Sequence, residues 1–346
     1  MQANYSAVKY QWRAGLLGGI LLLTGLTNFG QEKPQPGNDK PKPDPQYPSV
    51  SLRNTVEDFS TITLDKSQLV PLKPVTGSLI NKDSFTEERI QVQWRDVDPF
   101  DLYVIKPKGV DRPPVILYLY GYPTGVDAFH NEGWCNRVTS GGYAAVAFVG
   151  ALTGDRYQYR PMRDTFLNQL QESIGTTVHD VQMVINYLET RNDLDTARIG
   201  VLGTGSGATV AILAAAADPR IKALDLMEPW GDWPVWLANS VYVPGPERKD
   251  YLKPEFLAKV APLDSVKWLP TLTTQKVFLQ FVDTDDVPAK QASAAIEAAA
   301  PKNAEVFHYI NHAQHMGLSS NGRRFEWLKA QLRPPAPTST TAKANK

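Results

Sequence analysis

The stretch Ile199-Gly200-Val201-Leu202-Gly203-Thr204-Gly205-Ser206-Gly207 constrains this chain more than any other, because it carries an apolar run into a glycine-rich corner and on into the small-residue segment Ala208–Ala214. A strand that enters such a corner and leaves it as a helix has the context of a nucleophile elbow, Gly-x-Ser-x-Gly. The strand sets the register: Gly203 and Gly207 take the two glycine positions, and Gly205 falls where the serine hydroxyl belongs. The corner residue of an elbow sits at positive φ, which costs a non-glycine residue about 1–3 kcal/mol and costs glycine nothing. A phosphate-binding loop is the competing reading. No Gly-Lys-Ser/Thr follows, however, and Gly203-x-Gly205-x-Gly207 lacks the dinucleotide spacing.

Three further segments test the elbow. Val115–Tyr120 is an apolar strand that runs into the Gly121–Tyr122 turn. Val277–Val282 is a buried-type strand that opens onto Asp283, Asp285 and Asp286. Glu305–Ile310 is another strand, followed by Asn311-His312-Ala313-Gln314-His315-Met316-Gly317. In order and spacing, residues 85–333 resemble the α/β-hydrolase superfamily, most nearly its prolyl oligopeptidase and dienelactone hydrolase branch. The resemblance implies a triad acid at Asp285, with Asp286 as second choice, and a triad histidine at His315. It also implies an oxyanion hole made by the backbone N–H of Ser206 and an N–H from the Gly121–Tyr122 turn. The departure is at Gly205 alone, a degenerate nucleophile position, and it bears on acyl-enzyme chemistry rather than on the fold. Ser206 is the alternative nucleophile, but one residue into the helix its side chain points about 100° away from the elbow direction.

Other chemistries find less support. His308, His312 and His315 invite a metal site, yet His308 falls in a strand pattern and no carboxylate or cysteine completes a ligand set, so neither a metal nor another cofactor is expected. Asp283-x-Asp285 lacks the glycine and distal glutamate of a calcium loop. Lysine plus arginine and aspartate plus glutamate number 36 each, with no basic cluster of the kind nucleic acid requires. The single cysteine, Cys135, excludes an internal disulfide framework and reads as a buried helix residue. Tyr157, Tyr159, Trp230, Trp233 and Trp236 are candidates to line a cleft or simply to pack.

The rest of the chain arranges itself around that domain. Lys9 and Arg13 precede a charge-free apolar run at 14–27, so residues 1–30 read as a signal peptide or an N-terminal membrane anchor. Residues 31–50, with prolines at 34, 36, 41, 43, 45 and 48, read as an extended linker. Residues 51–84 are read as an N-terminal extension packed on the sheet, and 334–346 as a disordered tail. Between them, alternating strand and helix patterns predict an α/β-hydrolase fold: a mostly parallel sheet of about eight strands, helices on both faces, and a small cap insertion near Trp230–Trp268. Helices are expected near 126–140, 177–190, 207–217, 289–300 and 318–332.

Two functions follow from this reading. One is an exported protein (periplasmic, extracellular or membrane-anchored facing outward) that resembles serine esterases and peptidases, has lost their chemistry, and binds a small ester- or peptide-like ligand or a protein partner. The other is an active esterase or peptidase using Ser206 with His315 and Asp285. A membrane contact through residues 14–27 fits either, and nucleic acid fits neither.

Overall fold

The computed structural model describes residues 57–64, 72–95, 98–152, 156, 169–284, 289–320 and 325–333. Nine strands form one sheet: β1 (Leu72–Asn81), β2 (Phe85–Gln93), β3 (Phe100–Pro107), β4 (Pro114–Leu119), β5 (Ala144–Phe148), β6 (Asp195–Thr204), β7 (Ile221–Met227), β8 (Lys276–Val282) and β9 (Glu305–Tyr309). Their spatial order is β1-β2-β3-β5-β4-β6-β7-β8-β9. The pairs from β1 through β3 to β5 are antiparallel, and every pair from β5 onward is parallel.

The sequence explains which strands lie inside. Pro114–Leu119 and Ala144–Phe148 are apolar at every position and buried at every position, as central strands covered on both faces must be. The ninth strand is β1, which the sequence reading had placed in an extension lying on the sheet. Instead it joins the sheet as its edge, hydrogen-bonded antiparallel to β2. Its residues are mostly exposed on both faces, so no in–out alternation marks it as a strand.

The helices are α1 (Glu132–Thr139), α2 (Leu170–Glu189), α3 (Ser206–Ala217), α4 (Trp233–Asn239), α5 (Lys290–Ala298), α6 (His312–Ser320) and α7 (Glu326–Gln331), with short helical turns in the 245–271 region. The helix expected from 318 is two pieces, α6 and α7, and α6 starts early enough to carry both His312 and His315. Helix α3 is built of small residues because β4 presses against it. A Cβ on Gly207 would stand 2.2 Å from the Leu119 carbonyl oxygen.

Residues 57–64 pack against α2 through a buried ionic cluster. Arg95 donates to Glu57 at 2.6 and 2.7 Å and to Asp180 at 2.5 Å. Arg156 donates to Asp98 at 2.9 and 2.5 Å and to Asp180 at 2.6 Å. The Trp94 indole N–H adds a bond to Asp180 at 2.9 Å. His179 places Nδ1 2.6 Å from Glu57 and Nε2 2.9 Å from the Thr61 carbonyl, which ties the extension to the helix. Burial alone would raise the Glu57 and Asp180 carboxyls. The hydrogen bonds and charges of Arg95, with His179 at Glu57 and Arg156 at Asp180, outweigh it and hold both below the usual carboxylate range.

Candidate active site

Strand β6 delivers the elbow to the C-terminal edge of the parallel sheet, where α/β folds place their ligands. Gly205 has φ +54° and ψ −126° and caps α3, so it occupies the strained corner in the one residue type that adopts it without penalty. Space is not what excludes a side chain there. A Cβ on Gly205 would meet Trp230 Nε1 at 3.5 Å and the Gly121 Cα at 3.8 Å, ordinary van der Waals contacts. What residue 205 lacks is the hydroxyl.

A cleft of about 310 Å³ opens over this corner, lined by Gly205, Thr204, Tyr122, Met227, Glu228, Trp230, Tyr242, His312, His315 and Met316. The structure therefore brings Gly205, Tyr122 and His315 to one space. His315 is buried, and its ring packs edge-on against Tyr309 with centroids 5.0 Å apart. The Tyr309 hydroxyl in turn donates to Gln280 at 2.6 Å, which backs the histidine with an ordered polar chain.

Ser206 is placed elsewhere. It is the first residue of α3, is buried, and borders a different and much smaller space with Leu119, Phe148, Leu152 and Thr177. Its Oγ accepts a hydrogen bond from the Tyr122 backbone N–H at 2.9 Å. The expected oxyanion hole is altered by the same contact. The Tyr122 amide already donates to Ser206, and the Gly121 amide donates to Thr204 Oγ1 at 3.2 Å, so both amides of that turn are directed at side chains.

Asp285 and Asp286 lie outside the described residues. Asp283, the first acid of that loop, has its Oδ1 3.0 Å from Nδ1 of His308 on the exposed side of β9. That bond, followed by the charge of Glu297 with its Oε2 3.2 Å from Nε2, raises His308 above its ordinary value. His308 thus pairs with acids away from the cleft, apart from His312 and His315. Cys135 offers no substitute nucleophile: burial pushes its thiol up to about 12, and its Sγ donates to the Phe129 carbonyl at 3.1 Å.

Glu228 is a site residue that the sequence reading missed. It follows β7 directly, is buried, and sits at φ +50°, a conformation that is strained for a side-chain-bearing residue. Its N–H donates to the Gln280 carbonyl at 2.9 Å, and its Oε1 accepts from the Val282 N–H. An acid directly after the strand Ile221–Met227, at the carboxyl end of a parallel strand, was the signal available. Of the candidate aromatics, Trp230, Trp233 and Trp236 are all fully buried, and Trp230 borders the cleft. Tyr157 and Tyr159 lie outside the described residues.

Comparison with known proteins agrees with this architecture. Residues 100–225 match the Dienelactone hydrolase family. The putative hydrolase YtaP of Bacillus subtilis (strain 168) is 27% identical over 168 residues, which is 43% of this chain and 56% of that protein. The 2,6-dihydropseudooxynicotine hydrolase of Paenarthrobacter nicotinovorans is 28% identical over 139 residues, or 40% of this chain and 34% of that protein. The chain therefore spans about half of the one relative's length and about a third of the other's. Among solved structures, acetyl xylan esterase 1 from Thermoanaerobacterium sp. JW/SL YS485 superposes with a TM-score of 0.55 at 15% identity, over 73% of this chain and 87% of that one. The acetyl xylan esterase from Paenibacillus sp. R4 gives 0.57 at 16% identity, over 75% and 89%. With the sheet order and these matches together, the chain has the α/β-hydrolase fold, and its segment 100–225 is similar to the Dienelactone hydrolase family.

Proposed function

We propose that this chain is an exported α/β-hydrolase-fold protein whose serine-hydrolase chemistry is lost, and that it acts by binding a small ester- or peptide-like ligand, or a protein partner, in the cleft between Gly205 and His315. The observation that carries this reading is the positive φ at Gly205: the corner is formed, the strain is relieved, and no hydroxyl is there to attack. The engagement of Ser206 Oγ with the Tyr122 amide supports it, because that bond holds the hydroxyl in a buried space whose lining does not include His315.

Export rests on the basic, apolar and proline-rich order of residues 9–48. The apolar run 14–27 is outside the described residues. Among those that are described, no helix is long and apolar enough to cross a membrane. Fractionation of the native host that finds the chain soluble in the cytoplasm contradicts export.

The function is tested with an activated ester such as p-nitrophenyl acetate. Loss of a triad serine removes about 10⁶-fold in rate, so wild type should show no burst and no more than slow background turnover. If wild type turns over with a burst, and Ser206→Ala abolishes it, the chain is instead an active esterase or peptidase built on Ser206.

A further inference from the structure

Residues 57–64 lie across α2 as a strap, and the fit is close. A Cβ on Gly175 of α2 would stand 2.5 Å from the Phe59 carbonyl oxygen, so only glycine admits the strap there. Gln182 clamps the far end: its Nε2 donates to the Ile62 carbonyl at 2.8 Å, and its Oε1 accepts from the Leu64 N–H at 3.3 Å. Between these two points the ring of His179 stacks against Phe59 with centroids 6.4 Å apart. His179 is 1% exposed, and each of its ring nitrogens meets an oxygen of the strap. Nδ1 meets the Glu57 carboxylate at 2.6 Å, and Nε2 meets the Thr61 carbonyl at 2.9 Å.

Both of those oxygens are acceptors. A carbonyl has no proton to give, so Nε2 carries one. The Nδ1 contact then needs a second proton, because a neutral ring has only one and an ionised carboxylate has none. Glu57 accepts from both Nε and Nη2 of Arg95, at 2.6 and 2.7 Å, which favours its charged form and leaves the proton on the ring. The surrounding charges point the same way. Among the described residues, the ring and its partners face the carboxylates of Glu57 and Asp58 on the strap, Asp98 after β2 and Asp180 on α2, against the guanidinium groups of Arg95 and Arg156. An imidazolium offsets that excess of acids, and a neutral ring does not.

We propose that His179 is a proton-operated latch: as an imidazolium it holds the strap on α2, and loss of its second proton as pH rises through the histidine range releases residues 57–64 from the helix while the sheet stays intact. The docked strap retains a proton that the released strap gives up above that range, so docking is strongest below it and weakens as pH rises. Docking therefore has a window, bounded at its acid end by protonation of Glu57. Residues 1–56 lead directly into the strap, so the latch sets how firmly that part of the chain is tethered where it enters the domain.

The test is hydrogen–deuterium exchange of the full chain from pH 6 to pH 9, read on peptides covering 57–64 and normalised at each pH to the same peptides in the unfolded chain. Wild-type protection of the strap should fall about tenfold or more across that range, the worth of one hydrogen bond to a charged group, while peptides of β4 and β5 do not change. Glu57→Gln removes the need for the second proton, because its amide N–H can donate to a neutral Nδ1. Its strap should be less protected than wild type at pH 6 and should show no fall by pH 9. Equal protection of the wild-type strap at pH 6 and pH 9, or a fall in Glu57→Gln as large as in wild type, overturns the proposal. A second readout needs no variant. Ring-nitrogen NMR of the histidine-labelled wild-type chain, with His179 assigned by its contact with Phe59, should show both nitrogens protonated at pH 6. A neutral His179 ring at that pH overturns the latch.

Discussion

The ionic cluster around Asp180 and the cleft around Gly205 are both polar sites in the interior of one fold, and they are built on opposite plans. In the cluster, two guanidinium groups are shared among Glu57, Asp98 and Asp180 with near-complete hydrogen bonding, and the elements joined are far apart in sequence. Among the described residues lining the cleft, a single carboxylate and two histidines stand with aromatic rings, and Gly205 carries no side chain at all. No residue of the cluster lines the cleft. The difference teaches where this molecule keeps its constraints. The charges that must all be present sit away from residue 205, so that position can vary without disturbing what holds the N-terminal segment to the sheet.

The contrast breaks most visibly at Asp180. Asp180→Asn leaves Arg95 and Arg156 sharing an uncharged partner in a buried site. Removal of one member of a buried ion network costs about 3–5 kcal/mol, so urea denaturation should show a loss of that order. The acid limb has the same origin. Because the native carboxyls of Glu57 and Asp180 lie below their unfolded values, their contribution is present above the usual carboxylate range and fades as pH falls through and below it. Melting temperature followed from pH 7 to pH 3 should therefore drop, and drop less steeply in Asp180→Asn.

At the cleft the large effects are on rate. Gly205→Ser should raise ester hydrolysis above wild type, but with the Tyr122 amide still directed at Ser206 it lacks one oxyanion donor. The double variant Gly205→Ser/Ser206→Ala should exceed it by about 10²-fold, the usual worth of one such donor. If the double variant is no faster, the Tyr122–Ser206 bond is not what limits the site. The stability cost is smaller. Gly205→Ser should lose about 1–3 kcal/mol from the positive φ alone, because the space for a Cβ is already there. A loss as large as that of Asp180→Asn would erase the distinction between the two regions.

The smallest effect belongs to the exposed His308. Its folded value is raised, chiefly by the hydrogen bond to Asp283, so its contribution is full below the unfolded histidine value and is lost as pH rises through the folded one. His308→Gln should abolish that pH dependence of stability while changing the melting temperature little, since exposed ion pairs contribute about 0–1 kcal/mol.

How much of this was legible in the sequence follows the range of the interactions. The elbow was readable because strand, corner and helix are contiguous from Ile199 to Ala217, and the buried parallel strands were readable because both of their faces are apolar. That His315 lies on the segment lining one cleft with Gly205 is in keeping with the chain order of the resembled fold. Strand β1 was not readable, because an edge strand exposed on both faces carries no period-two signal. The Asp180 cluster was hidden for another reason: residues 57, 95, 98, 156 and 180 meet only after the sheet and α2 are assembled, and no local pattern records a long-range ion pair. Glu228 was hidden because one acid after β7 carries a weaker local signal than the three acids, Asp283, Asp285 and Asp286, that follow β8. The bond between Ser206 and the Tyr122 amide joins residues 84 positions apart, and only the close approach of β4 to α3 reveals it.

The central claim is that no serine at the elbow is nucleophilic in this protein. The most direct measurement is intact-mass spectrometry after exposure to a fluorophosphonate, which reacts covalently with an activated serine regardless of substrate preference. Wild type should remain unlabelled, while Gly205→Ser should gain one adduct that maps to residue 205. A stoichiometric adduct on Ser206 of the wild-type chain would contradict the account.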